Sequence, residues 1–485
     1  MFGWFIDAMN GRLTFLILLL GICLSPSILR AADQPNILFL LSDDQSWNGL
    51  SCRMHPDIAE SAHRIIETPH LARLAAEGMR FSAAYSPAPV CSPTRISLQT
   101  GKSPAQLHWT KAAPTMGAAD GFKLISPTIR RSIPQEETTI GEILQRAGYR
   151  TALYGKWHLS GGGPDEHGYH ESDGATGNAT AAPFVEPNPV DIFGMGQRAA
   201  AFMEKSRDEG KPFFISMYYH ALHYPGNATQ ALIEKYEKLS DGRGGKDVGK
   251  AAISEDLDRG VGELLAKLDE LGLSENTYVI YMADNGGGVR GILQGGKGDV
   301  WEAGIRVPLI VRGPGVAPNS WCHERVVGFD FFNTFCEWAQ VSEDLPEGVE
   351  GGSIAHLLRG EDSPVKRPFE ELVFHFPHYQ GDSPHTALFL GDYKLMRHYE
   401  DGTLRLFDIA EDMGESKDLA STHPEIVRDL EARMDNYLSL VDAQLPKPNP
   451  EYDPDNAPNI RDANNGKKKG GGGKGGKGKG KKDRP

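Results

Sequence analysis

The chain has 485 residues, enough for one large α/β domain with a smaller appendage and too many for one minimal core. Hydrophobic residues at 39% and charged residues at 24% are the balance of an ordinary globular protein. The net charge of −14 is unevenly spread: residues 466–485 carry eight Lys and Arg484 against Asp483, a local +8 that leaves −22 for the rest, and so acidic a body excludes a generic nucleic-acid binder while allowing an anionic ligand in a locally basic cleft.

Residues 13–24 (LTFLILLLGICL) are an apolar run too short for a comfortable membrane span. Arg12 before it and the small-residue site Ala31-Ala32 after it predict a signal peptide over 1–32 and a secreted or periplasmic mature chain. Only an uncleaved leader would tie it to a membrane. Residues 35–44 (PNILFLLSDD) read as a buried parallel strand ending in two acids, and 278–285 (YVIYMADN) as another ending in acid plus amide. Between them, 140–150 reads as a helix, and 150–158 and 211–220 as strands. Residues 254–273 read as a helix, with Leu257, Val261, Leu264, Leu265, Leu268 and Leu271 on one face and Ser254 as its N-cap. This alternation predicts an α/β/α sandwich around a large, mostly parallel mixed sheet over 33–365. Ligands in such folds sit beyond the carboxyl ends of the strands, where both acidic pairs fall.

Residues 366–446 predict a smaller α+β subdomain with an antiparallel sheet. Its strands are 386–399 and 403–409, joined at Glu400-Asp401-Gly402, and a helix follows over 424–445 with Ile426, Val427, Leu430, Met434 and Leu438 as its apolar stripe. From 447 to 485 the chain is Pro- and Asn-rich and then Lys/Gly-rich, a composition that predicts a disordered tail. Such a tail attaches electrostatically to acidic glycans or a cell envelope, or is solvated without a fixed partner. Of five cysteines (23, 52, 91, 322 and 336), the first leaves with the leader; if Cys91 is modified, at most one bridge can form among Cys52, Cys322 and Cys336.

In CSPTR (91–95), Ser92 suits an N-cap and Pro93 the first helical position. Cys91 then lies just before the positive end of a helix, where a thiolate is favoured. A buried structural Cys fits these five residues as well. The pentapeptide resembles the recognition sequence for conversion of Cys to formylglycine. Around it stand, in order, SDDQ (42–45), GKWHLS (155–160), ALHYP (221–225), ADNGG (283–287), GGKG (295–298) and WEAGIRVP (301–308). Together they are similar to the type I, formylglycine-dependent, arylsulfatase-like sulfatases of the alkaline phosphatase superfamily, over about residues 35–445.

The resemblance implies hydrolysis of sulfate esters, on sulfated poly- or oligosaccharides or small sulfate esters, after a formylglycine-generating enzyme has converted Cys91. It implies one calcium ion, for which the oxygen ligands Asp43, Asp44, Asp284 and Asn285 are suitably hard, with position 91 completing the set. By the same resemblance, Arg95 would hold the hydrated aldehyde and nearby carboxylates, and Lys156 and Lys297 would bind sulfate oxygens. His158 would be the base that releases sulfate, and His223 or Lys297 would protonate the departing alcohol. Two residues apart in an extended segment, Lys156 and His158 would face the same side. His220 competes with His223, which is preferred because Tyr224-Pro225 follow it. Trp301, Glu302, Gly304 and Arg306 read as structural supports of the Lys297 loop.

Three rival readings use the same residues: a phosphatase or phosphodiesterase of the superfamily, a non-catalytic binder of sulfated glycans with Cys91 unmodified, and an adhesion protein using its basic tail. CSPTR and the Asp/Asp/Asp/Asn set weigh against the first, and the intact set of cations against the second.

Overall fold

A computed structural model describes residues 34–113, 115–178, 186–223, 227–240, 246–287 and 291–460. The leader and the lysine-rich stretch 466–485 lie outside the described residues, as do Tyr224 and Pro225. Among the described residues no helix is long and apolar enough to cross a membrane.

Strand Asn36–Ser42 is buried along its whole length, and its side chains alternate between two apolar cores. Ile37, Phe39 and Leu41 enter one core, with Phe331 and Phe335 of helix Asp330–Trp338 and Ile143 and Leu144 of helix Ile140–Arg146. Leu38 and Leu40 enter the other, with Met195 of helix Ile192–Asp208 and Leu257, Val261 and Leu264 of helix Lys246–Glu270. The two-residue period of a strand thus fills both layers of the sandwich. Each fully buried Leu or Ile contributes roughly 1.5–3 kcal/mol.

The central sheet has eight strands. Their order is Ser320–Cys322, Met79–Phe81, Leu309–Arg312, Thr277–Ala283, Asn36–Ser42, Phe213–Tyr218, Arg150–Gly155 and Glu171–Ser172. Pairing is parallel throughout, except where Leu309–Arg312 runs against both its neighbours. In this register Ser42 lies opposite Ala283, and Tyr218 opposite Leu41 and Gly155. Four carboxyl ends therefore converge, followed by Asp43-Asp44, Asp284-Asn285, Lys156 and His220. That is the predicted α/β architecture, with the acidic pairs at adjacent strand ends.

The second sheet is antiparallel, with strands Leu372–Phe376, His385–Leu390, Tyr393–His398 and Leu404–Asp408. One face, through Phe374, Phe389 and Met396, packs on Tyr85, Val300 and Trp301. The other, through Val373, Leu388 and Leu395, packs on Leu430 and Met434 of helix Pro424–Leu440.

Several local expectations are corrected. The stretch 386–399 is a hairpin, not one strand: it reverses at Gly391-Asp392, with Gly391 in the left-handed region (φ 54°) that lacks a steric penalty for glycine. Ser254 is not an N-cap, because the helix begins at Lys246; its hydroxyl donates to the Lys250 carbonyl one turn back. Nor is the chain disordered from 447. Lys447–Pro448 pairs with Leu124–Ile125, and the buried Asn449 amide donates to the Ala118 and Phe122 carbonyls. Loop backbone that offers acceptors at the right spacing orders this segment despite its composition. Cys52, Cys91, Cys322 and Cys336 are all free thiols.

Candidate active site

Cys91 is the first residue of helix Cys91–Thr100, one turn of which holds Arg95 beneath it. The N-cap is Val90, extended and without a side-chain cap, so the helix starts earlier than Ser92 would have it. The Ser92 hydroxyl serves another purpose and donates to the His158 carbonyl at 2.9 Å. The thiol is buried, 2% exposed. Burial, with Asp284 and Asp43 nearby, pushes it well above the ordinary thiol range, which corrects the expectation of a low-pKa thiolate. The positive helix end is outweighed by desolvation and two carboxylates.

Around Cys91 the predicted site residues assemble. Its Sγ lies 3.3 Å from Asp43 Oδ1, 3.8 Å from Asp44 Oδ1 and 3.5 Å from Lys297 Nζ. One ligand atom each from Asp43, Asp44, Cys91 and Asp284 fall within 4.8 Å of one another, the spacing of donors around a single ion. Asn285 donates through Nδ2 to Asp44 Oδ1 (2.8 Å) and the Gly286 carbonyl (2.9 Å), which leaves its buried Oδ1 without a hydrogen-bond partner. A buried acceptor beside three carboxylates, in a set of oxygens with one sulfur, fits a hard divalent cation.

Three cations neutralise the carboxylates. Arg95, fully buried, forks onto Asp284 Oδ2 through Nη2 (2.7 Å) and Nε (3.2 Å), and its Nη1 donates to the Lys156 carbonyl. Lys156 Nζ bonds Asp43, and Lys297 Nζ reaches Asp44 Oδ1 at 2.6 Å. Burial pushes the Asp43 carboxyl up, but Lys156, Arg95 and Lys297 together hold it well below the usual range. Asp284 goes the other way, to about 6, through burial and repulsion by Asp43. Lys297 stays strongly basic: burial works against its charge, and the acidic neighbours outweigh it.

The histidines are held neutral. Burial, helped by Lys156 and Arg95, pushes His158 down to about 3, and burial with Lys156 pushes His220 to about 4. His223 is also lowered by burial; it senses Asp43, Lys156, Lys297 and Asp44, and so faces the Lys297 side of the site. His220 instead senses Lys156, Asp43, Arg95 and Asp191. His158 does not share an extended segment with Lys156. The strand ends at Gly155, and His158 takes a left-handed backbone (φ 56°). Thr176 holds that turn: its Oγ1 accepts from Trp157 N (2.9 Å) and donates to the Gly155 carbonyl, and its own carbonyl accepts from His158 N (2.7 Å). Sequence reading missed Thr176, since nothing in GKWHLS points to a residue so far along the chain.

The Lys297 loop is supported by the second sheet, which sequence reading also missed. His385 Nε2 accepts from Val300 N at 2.8 Å, and Gly381 N donates to the Gly298 carbonyl at 3.0 Å. Glu415 accepts from Glu302 N at 2.8 Å, and Lys394 bridges Glu302 (3.1 Å) and Glu415 (2.5 Å). Glu302 also accepts from Arg306 (2.6 Å) and Tyr85 (3.0 Å), in keeping with the structural reading of Glu302 and Arg306.

A sequence model of the family named Sulfatase matches residues 35–341, and one named N-sulphoglucosamine sulphohydrolase, C-terminal, matches 296–440. Arylsulfatase A of Homo sapiens is 29% identical over 86% of this chain and 89% of its own length. N-acetylgalactosamine-6-sulfatase of Mus musculus is 30% identical over 75% of this chain and 72% of its own. An ulvan-active sulfatase of Formosa agariphila is 25% identical over 84% and 81%. Among solved structures, Ps i-CgsB in complex with k-i-k-neocarrahexaose superposes with a TM-score of 0.69 at 22% identity, covering 87% of this chain and 95% of that one.

Proposed function

This chain belongs to the sulfatase family, and from that premise we propose that it cleaves sulfate esters of poly- or oligosaccharides, using a formylglycine made from Cys91 and one calcium ion. Sulfate-ester hydrolysis is the activity of its relatives; the saccharide class is supported by the ulvan-active and N-acetylgalactosamine-6-sulfatase relatives and by the k-i-k-neocarrahexaose in complex with Ps i-CgsB. The observation that carries the mechanism is Cys91 Sγ within 4 Å of two carboxylates and the Lys297 ammonium. Asp43, Asp44, Asp284, Asn285 and position 91 would hold the calcium, which would supply Lewis-acid polarisation to the site. Converted to formylglycine and hydrated, position 91 would supply one hydroxyl as nucleophile and a second as the route for releasing sulfate, an exit that neither thiol nor Ser offers.

The chain's own groups do the rest. Three carboxylates face three cations: Asp284 with Arg95, Asp43 with Lys156 and Asp44 with Lys297. Lys156 and Lys297 hold sulfate oxygens as charge develops. Arg95 fixes Asp284 and the base of the helix that carries position 91. His158, neutral, accepts the proton whose loss frees the sulfate, and His223 or Lys297 gives one to the leaving oxygen. Export through residues 1–32, the division into a catalytic part over 33–365 and a C-terminal part over 366–446, and maturation by a formylglycine-generating enzyme belong to the same proposal. A small aryl sulfate assayed with the parent and with Lys297→Ala tests it. We expect a fall of about 10²–10³ in kcat for the variant, and turnover that is unchanged by the substitution would contradict the site.

A further inference from the structure

We infer that Asp299 is the positioning residue for Lys297: its carboxyl closes the turn that aims the Lys297 ammonium at the reacting sulfate. This role rests on the sulfatase reading, in which Lys297 holds sulfate oxygens. It adds a residue that lies between GGKG (295–298) and WEAGIRVP (301–308) and belongs to neither.

Lys297 stands in Gly295-Gly296-Lys297-Gly298, where three glycines leave the backbone around it highly permissive. Its ammonium is nevertheless held 2.6 Å from Asp44 Oδ1 and lies 3.5 Å from Cys91 Sγ. Placement of a catalytic group matters steeply, since an error of about 1 Å can cost about a hundredfold in rate. Something other than the run's own backbone must therefore fix Lys297.

Asp299 does so from inside the turn. Its Oδ1 accepts from Gly296 N, just before Lys297, and from Trp301 N, just beyond it, both at 3.2 Å. Its own N donates to the Gly296 carbonyl, also at 3.2 Å. These three bonds lie within the turn, and two others tie the turn to its surroundings. Gly298 N donates to the Pro89 carbonyl at 3.0 Å, and Val300 N to His385. Pro89 is two residues before Cys91, so the shape that Asp299 imposes is set directly against the segment carrying the nucleophile.

The space is cut to this side chain. A Cβ on Gly295 would lie 2.3 Å from Asp299 Oδ1, and one on Gly381 would lie 2.6 Å from Oδ2. Asp299 is only 4% exposed. Burial, with Asp382 and Glu415 nearby, pushes its carboxyl up to about 8 against the pull of the two amide donors. At neutral pH it thus serves the turn as an uncharged acid. Asn reproduces that shape and its acceptor, and Ala reproduces neither.

The test is a double-mutant cycle on p-nitrophenyl sulfate with the parent, Asp299→Ala, Asp299→Asn, Lys297→Ala and the chain carrying both Ala substitutions. Turnover is expressed per formylglycine, counted by mass spectrometry of the peptide spanning residue 91. We expect Asp299→Ala to lower kcat about tenfold to hundredfold with KM little changed, and Asp299→Asn to keep at least about half of the parent kcat. The doubly substituted chain should fall no more than about twofold below Lys297→Ala, because Asp299 acts through a group already removed. A residue that only supports the fold would give losses that multiply, and that result would overturn the role. So would a parent-like kcat for Asp299→Ala, or a loss in Asp299→Asn as large as in Asp299→Ala. If Asp299→Ala does not fold, Asp299→Ser, whose shorter side chain cannot reach both amides, replaces it in the same cycle. A converted parent that turns over no p-nitrophenyl sulfate overturns the sulfatase reading and this role with it. A failed cycle in an active parent overturns the role of Asp299 alone.

Discussion

Two charge clusters flank the Lys297 loop and are built to opposite ends. In the first, Glu302, Arg306, Lys394, Glu415 and Tyr85 close on one another; two carboxylates meet two cations and each charged group has a partner. In the second, Asp43, Asp44, Asp284 and Asn285 are crowded around Cys91, with the Asn285 Oδ1 unpaired and the Asp284 carboxyl pushed up to about 6. A network that satisfies itself is a support. One that leaves an acceptor unpaired and holds like charges together is organised around something it binds. The first holds the loop that presents Lys297 to the second.

Substitutions should separate the two. Cys91→Ala is expected to lower sulfate-ester turnover by about 10³-fold or more, as for loss of a covalent nucleophile. Its unfolding free energy should stay within about 1 kcal/mol of the parent; urea titration beside the activity assay checks both. Lys394→Met should do the reverse. It leaves the buried Glu415 carboxylate without its cation and Glu302 with Arg306 alone, and we expect a loss of about 3–5 kcal/mol in urea unfolding.

Calcium should act on the second cluster alone. At about a hundred times its dissociation constant it should add about 2.7 kcal/mol to stability, lost on chelation along with activity. A thermal-melt titration in which Asp284→Asn responds as strongly as the parent would break the assignment of that ligand.

One carboxylate from each cluster, Glu302 and Asp284, should titrate in opposite directions. Burial raises Glu302, but Arg306 and Lys394 bring it from 4.5 to about 2, so its stabilisation is full above pH 4.5 and is lost as pH falls toward 2. Asp284 is raised from 3.8 to about 6, so it favours the folded state at low pH and its penalty grows as pH rises through that interval. Urea midpoints measured from pH 2 to 7 should fall less steeply between 4.5 and 2 for Glu302→Gln than for the parent. The smallest effect expected is for Thr176→Val, which removes the hydroxyl that pins the His158 turn. We expect about a tenfold fall in kcat with little change in stability.

What could be read from the sequence follows the same division. The second cluster was legible because its members sit at strand ends in short motifs, and a buried strand announces itself through an unbroken apolar run such as Ile37–Leu41. Of the supports, Glu302 and Arg306 read as structural from their motif, but the partners that hold them did not. Lys394 and Glu415 lie about a hundred residues from Glu302, and each resembles a surface charge until the sheet brings them together. Asn449 and Thr176 act through loop carbonyls, which no side-chain pattern encodes. The helix start at Cys91 was misplaced for a related reason: Ser92 has the chemistry of a cap, but His158 claims its hydroxyl.

The central claim is that Cys91 works as an aldehyde and not as a thiol. Its most direct test is mass spectrometry of the peptide spanning residue 91, with hydrazide trapping, on preparations of differing specific activity. The account predicts formylglycine at position 91 and turnover proportional to the fraction converted. Full turnover by protein in which Cys91 remains a thiol would contradict it.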